Sequence, residues 1–132
     1  MKCLSILLLA WLPFTQTGQD VYICKNAKIS IYSSAPIEDI EANSNAVVSV
    51  YNAGTGELEF SVFMRTFHFE KALMEEHFNE DYMESDKYPK ATFKGKIEQL
   101  PDVTKDGDYP VKVTGDFEVH GVKQTRTIDG DV

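Results

Sequence analysis

Apolar and polar residues alternate with period two along most of the chain, as expected of strands with one dry and one wet face. From Ala27 to Tyr32 the apolar Ala27, Ile29 and Ile31 alternate with Lys28, Ser30 and Tyr32. From Glu57 to Met64 the dry series is Leu58, Phe60, Val62 and Met64. Beyond Met64 the phase breaks, because Arg65, Thr66 and His68 fall between Phe67 and Phe69. A bulge or bend near Arg65 would account for the slip. Later, Ala91, Phe93, Gly95 and Ile97 alternate with Thr92, Lys94 and Lys96, and Val111, Val113, Gly115, Phe117 and Val119 with Lys112, Thr114, Asp116 and Glu118. Val47 to Tyr51 and Val122 to Ile128 bring the expected total to six or seven strands.

Turn residues separate these runs. Asn52 to Gly56 closes a hairpin between Val47–Tyr51 and Glu57–Met64, Lys105 to Asp108 precedes another strand, and His120 and Gly121 form a tight turn. One stretch is helical in pattern: Glu70 to Tyr82 carries Leu73, Met74, His77 and Phe78 at spacings of three and four, with acidic residues opposite. Short strands with one helical interruption predict a sandwich or a barrel. Gly95 and Gly115 at dry positions favour the barrel, where a missing side chain permits curvature or leaves room for a ligand.

Length narrows the picture to one domain, since 132 residues leave room for no more. Lys2, an apolar run from Cys3 to Phe14 and a polar stretch from Thr15 to Gln19 read as a secretory signal peptide over residues 1–19. Its cleavage is expected between Thr17 and Asp20, leaving residues 20–132 as the barrel domain. The apolar run is too short to span a bilayer, and no second one follows. Removing Lys2 from 13 basic residues leaves 12 against 21 acidic ones, a net charge of −9. So acidic a surface excludes nucleic acid and anionic membrane surfaces as expected partners. Cys3 departs with the leader, so Cys24 is expected to be an unpaired, buried strand residue.

Candidate chemistry adds little. His77 and Glu80 share a helical face but lack the second histidine or cysteine of a helical metal site. Nothing in the sequence brings His68 and His120 together, and no nucleophile signature surrounds Cys24 or any serine. No metal, cofactor or catalytic residue is expected.

The segment His77 to Phe93, HFNEDYMESDKYPKATF, resembles the helix-to-strand signature of the YceI-like family through Lys87, Tyr88, Pro89, Thr92 and Phe93. Gly115, Phe117, Val119, His120, Gly121 and Val122 are similar to that family's hairpin motif. Order and separation of the two motifs agree, and the resemblance covers nearly all of the chain after the leader. It implies a mostly β, antiparallel lipocalin-like β-barrel with one short helix around 70–82, whose apolar interior holds a polyisoprenoid or similar long lipid. It also implies a periplasmic or secreted protein without cofactor chemistry. Two departures stand out. Family members usually run several strands further, so the barrel is expected to be incomplete if Val132 is the true end, with free edges that favour a homodimer. In the last strand Gln124 and Arg126 occupy positions where the family tends to be apolar.

Alternation and the motif match together nominate the lipid-binding side chains. They are Ile29, Ile31, Val48, Val50, Leu58, Phe60, Val62, Leu73, Phe78, Tyr82, Phe93, Val111, Val113, Phe117 and Val119. Two other functions compete with a carrier: a small exported enzyme, and a non-catalytic stress-response or interaction protein with a packed interior.

Overall fold

The computed structural model describes residues 20–132, so the expected leader and its cleavage point lie outside the described residues. Seven strands form one antiparallel sheet. They are β1 (Val21–Ser33), β2 (Ile40–Asn52), β3 (Glu57–Phe63), β4 (His68–Phe69), β5 (Lys90–Ile97), β6 (Pro110–Val119) and β7 (Val122–Asp131). The spatial order is β1-β2-β3-β5-β6-β7, with the short β4 pairing on β2. Among the described residues the sheet curls but does not close, because β1 pairs only with β2 and β7 only with β6. The architecture is that of an incomplete lipocalin-like barrel.

Register carries the alternation from strand to strand, since residues directly opposite share a face. Leu58, Phe60 and Val62 of β3 stand opposite Gly95, Phe93 and Ala91 of β5. Phe93, Gly95 and Ile97 in turn stand opposite Phe117, Gly115 and Val113 of β6. These rows make the concave face. On the convex face charges of opposite sign meet, as in Glu59–Lys94 and Lys112–Asp129.

Gly95 and Gly115 stand directly opposite one another on β5 and β6. A Cβ on Gly115 would lie 2.3 Å from the Lys94 carbonyl oxygen, so only glycine fits. A Cβ on Gly95 would meet the Phe93 ring and Val113 Cγ1, each at 2.9 Å. Glycine therefore lets neighbouring strands close up while the Phe93 ring folds over the gap.

The phase break near Arg65 is a single 3₁₀ turn, Met64–Thr66, between β3 and β4. It turns Met64 and Phe67 inward, the latter only 1% exposed, and leaves Arg65 outside. The Thr66 hydroxyl donates to the Phe63 carbonyl at 2.7 Å and lies 2.7 Å from the buried Ser44 hydroxyl, which also accepts from the Ala46 backbone N–H. A second slip falls there: the pairing of β1 with β2 shifts on both sides of Ala27–Val47. From Val47 onward β2 therefore presents Val47, Ser49 and Tyr51 to the concave face, with Ser49 opposite Phe60 and Tyr51 opposite Leu58.

The expected helix is shorter and changes pitch. An α-helix, α1 (Ala72–His77), runs directly into a π-helical turn, Phe78–Tyr82. Asn79 explains the widening. Its Nδ2 donates to the Glu75 carbonyl and its Oδ1 accepts from the buried Ser85 hydroxyl, so the wider turn draws Phe78 and Asn79 into the interior.

Candidate functional site

Side chains do not fill the concave face evenly. One buried cluster, with Ala42, Val47, Val62, Met64, Phe67, Phe78 and Ala91, lies under the helical segment. A second, with Phe93, Ile97, Val111 and Val113, packs against Tyr51 and Leu58 further along the sheet. An apolar cleft of about 390 Å³ runs over the first cluster, a volume within the range of small-molecule sites.

Every strand around the curl contributes to the cleft except β4. Ile29 and Ile31 come from β1, Phe60 and Val62 from β3, Phe93 from β5, Phe117 and Val119 from β6, and Ile128 from β7. Both unpaired edge strands thus flank it. Phe78, inserted by the π-helical turn, forms its roof together with Met83. Aromatic rings fix the shape: Phe78 packs against Phe69 at 4.9 Å and Phe67 at 5.9 Å between centroids, and Phe60 against Phe93 at 6.5 Å.

Eight of the side chains nominated from the sequence meet at this cleft: Ile29, Ile31, Phe60, Val62, Phe78, Phe93, Phe117 and Val119. The other seven do not. Val111 and Val113 are packed into the second cluster, with Leu58 against it. Val48 and Val50 pair with Ser61 and Glu59 on the convex face, and Val48 is 41% exposed. The slip before Val47 is the cause, since a one-residue shift moves every later side chain to the other face. Leu73 and Tyr82 are 64% and 69% exposed, and line a second groove between the helical segment and the strands β1 and β2.

That groove, of about 720 Å³, shares Ile31, Phe78 and Met83 with the cleft, so the two apolar surfaces are continuous. Its rim is polar. Lys71 pairs with Glu38, whose hydrogen bond and charge hold the ammonium above its ordinary value. His77 Nδ1 lies 2.7 Å from Asp81 Oδ2, so the histidine engages Asp81 rather than Glu80. Among the described residues no group of three or more histidine, cysteine or acidic side chains is placed to hold a metal ion.

Sequence reasoning missed Ala27, Val47, Met64, Phe67, Met83, Ala91 and Ile128 as cleft residues. Phe67 and Met64 sit in the segment where the period breaks, so alternation gives no face for them. The dense aromatics from Phe60 to Phe69 are the available signal. Cys24 departs from expectation in another way: it is exposed, because it lies on the edge strand β1.

The two sequence motifs touch in space. The Tyr88 ring lies over Gly121, where a Cβ would come within 2.6 Å of it, and meets the His120 ring edge-on at 4.8 Å. His120 Nε2 is 2.7 Å from Glu84 Oε2. Glu84 and His120 both hold positive φ, 46° and 51°, and each directly follows a cleft residue, Met83 and Val119. This contact joins the end of the helical segment to the tip of the β6–β7 hairpin.

A family model described as the YceI-like domain matches residues 25–132. Among solved structures, a polyisoprenoid-binding domain from Saccharophagus degradans, implicated in plant cell wall breakdown, aligns at a TM-score of 0.70 and 14% identity over 86% of this chain. The YceI protein of Campylobacter jejuni aligns at 0.56 and 19% identity over 74% of this chain. The aligned part is 67% of the first protein and 57% of the second, so the chain spans well short of the full length of either. No curated protein sequence matches. No helix among the described residues is long and apolar enough to cross a membrane.

Proposed function

The chain belongs to the YceI-like domain family, and from that premise we propose that it is an exported carrier of a polyisoprenoid or similarly long apolar lipid. The observation that carries this reading is the unfilled apolar cleft, walled by side chains from both free edges of the sheet and roofed by Phe78 and Met83. Three further points support it. The Saccharophagus degradans domain, whose fold this chain shares, is polyisoprenoid-binding. The lining offers apolar area and no cluster of reactive groups, which favours binding over catalysis. Lys2 and the apolar run after it support export to the periplasm or beyond.

Burial supplies the affinity. About three isoprene units, at roughly 0.8 kcal/mol per buried carbon group, yield on the order of 12 kcal/mol gross. Association costs roughly 4 to 15 kcal/mol, so short alcohols bind poorly and only longer chains leave a surplus. The free edges of β1 and β7 also support self-association as a homodimer.

The test is direct. Protein purified from its native host is extracted with organic solvent and the extract analysed by mass spectrometry, and delipidated protein is titrated with prenyl chains of increasing length. The expected result is a co-purifying apolar lipid and affinity that rises with length. Absence of lipid together with no binding of long prenyl chains would sink the carrier reading and leave a packed interaction domain.

A further inference from the structure

Three large apolar side chains stand out into solvent where the β1–β2 loop, residues 34–39, meets the helical segment. Ile37 is fully exposed, and Leu73 and Tyr82 are largely so. They lie at one end of the sheet, since Leu73 and Tyr82 come together with Ser33, Glu38 and Ile40, the residues on either side of Ile37. Ile37 itself lines neither the cleft nor the groove, so neither accounts for it. Its loop is nonetheless braced on both sides. Asp39 accepts from the Tyr32 hydroxyl at 2.9 Å and from the Ala35 backbone N–H at 3.3 Å, and Glu38 pairs with Lys71 just before α1. These bonds hold the loop while Ile37 points outward and forgoes the burial that favours folding.

Charge narrows what could cover these tips. Residues 34–39 and 70–83 hold seven carboxylates, and Lys71, their one permanent cation, is already paired with Glu38. Such a rim repels an anionic surface but complements the ammonium groups of zwitterionic lipid heads. Shape points the same way. Separate tips on two elements, with polar groups between them, offer no continuous core for a protein interface, whereas a fluid lipid surface admits anchors one by one. Tyrosine in particular suits the headgroup boundary, where its ring and hydroxyl meet different surroundings.

We propose that this end of the molecule docks on a zwitterionic lipid surface, with Ile37, Leu73 and Tyr82 entering the headgroup boundary and the carboxylates facing the lipid ammonium groups. This goes beyond the carrier reading, because docking depends on the tips and not on what the cleft holds.

The full chain is sedimented with sucrose-loaded vesicles of phosphatidylcholine, alone or mixed with phosphatidylglycerol, at millimolar lipid and at low and high salt. Protein is measured in the pellet, so lipid taken up into the cleft does not count as binding. The expected result is association with phosphatidylcholine weaker than the roughly 10⁴ M⁻¹ of a single myristoyl chain. Binding to the anionic vesicles should be weaker still, with the difference shrinking as salt screens the carboxylates. Ile37→Ser should lower association about fivefold, and adding Leu73→Ser about fivefold more. Leu100→Ser should leave it unchanged, because Leu100 is exposed but lies beside Gly56, beyond the far end of β2. Ile37 is fully exposed, so its replacement removes no packing, and a circular dichroism spectrum checks the fold.

No binding to phosphatidylcholine, or binding that Ile37→Ser leaves unchanged or Leu100→Ser lowers equally, overturns the docking surface. Binding confined to the anionic vesicles and abolished by salt overturns it too. Self-association without vesicles that Ile37→Ser abolishes would assign the tips to a second copy of the chain instead. Protein that sediments with vesicles yet holds no prenyl chain sinks the carrier reading and leaves docking in place, so the two failures are distinguishable.

Discussion

Gly115 has the most confined surroundings of the described glycines, and the obstacle is the backbone of Lys94 and Gly95 rather than a movable side chain. Gly95, directly opposite, is hemmed in by the Phe93 ring and Val113, which can rotate or shift. Gly115→Ala should therefore cost about 3 kcal/mol or prevent folding, and Gly95→Ala distinctly less, as urea denaturation will read. Equal costs would mean that the close approach of β5 and β6 is not maintained in solution. Tyr51 poses a different residue-scale problem, because its hydroxyl is buried without a hydrogen-bond partner. Burial, and then the neighbouring Tyr22, raises its pKa above the ordinary 10.0. A raised value means the folded state favours the protonated phenol, so that contribution is complete below 10.0 and is lost as pH rises through the folded value. Tyr51→Phe should leave the protein at least as stable at neutral pH, with a gain of about 1 kcal/mol, since it removes an unsatisfied polar group. It should also lessen the loss of stability at alkaline pH, to which Lys71, Lys87 and Lys112, whose values are raised by their neighbours, contribute as well. Denaturation midpoints of the two proteins compared across alkaline pH check both statements.

Among elements, the helical segment and the β6–β7 hairpin hold one another through Glu84, Tyr88, His120 and Gly121. The Glu84–His120 pair is exposed enough that its own worth is about 1 kcal/mol at most. Positive φ at His120 opposes it, at a cost of about 1 kcal/mol for a residue with a Cβ. His120→Gly removes pair and strain together and should come out near neutral, whereas His120→Ala keeps the strain and should be the less stable of the two by about 1 kcal/mol. Thermal melts of both variants distinguish this from a purely electrostatic contact, for which the two would be alike. The same elements show what is legible in a sequence. β3, β5 and β6 follow strict alternation, and Phe60, Phe93 and Phe117 stand in one row as the alternation implies. β2 was not legible in this way. Val47 and Val48 are adjacent and equally apolar, and only the slip set by Ser44, Ala46 and Thr66 decides that Val47 faces inward. The helix was legible from its spacing, but not its change of pitch, which depends on Ser85 meeting Asn79 from outside the helix.

At the largest scale the ends of the strand order matter most: among the described residues β1 and β7 are each paired on one side alone, and a strand edge left so offers backbone donors and acceptors to another sheet. Sedimentation velocity over a range of concentrations should show reversible association. Ile23→Lys, which places a charge on the exposed β1 edge, should shift the equilibrium toward monomer. A monomer at every concentration, in the unsubstituted protein, would mean that the edges are protected by their own twist and charge. The cleft between those edges also has a kinetic meaning. A tunnel admits a long chain only end-first, so entry slows as the chain lengthens. Ile29 and Ile31 on β1 and Ile128 on β7 line the cleft from the two strands that are paired on one side alone among the described residues, and a carrier open along that side would let a chain settle broadside. Stopped-flow association rates should then be nearly independent of prenyl length, while residence time grows with each added unit. Such a protein would take up and surrender its cargo sideways.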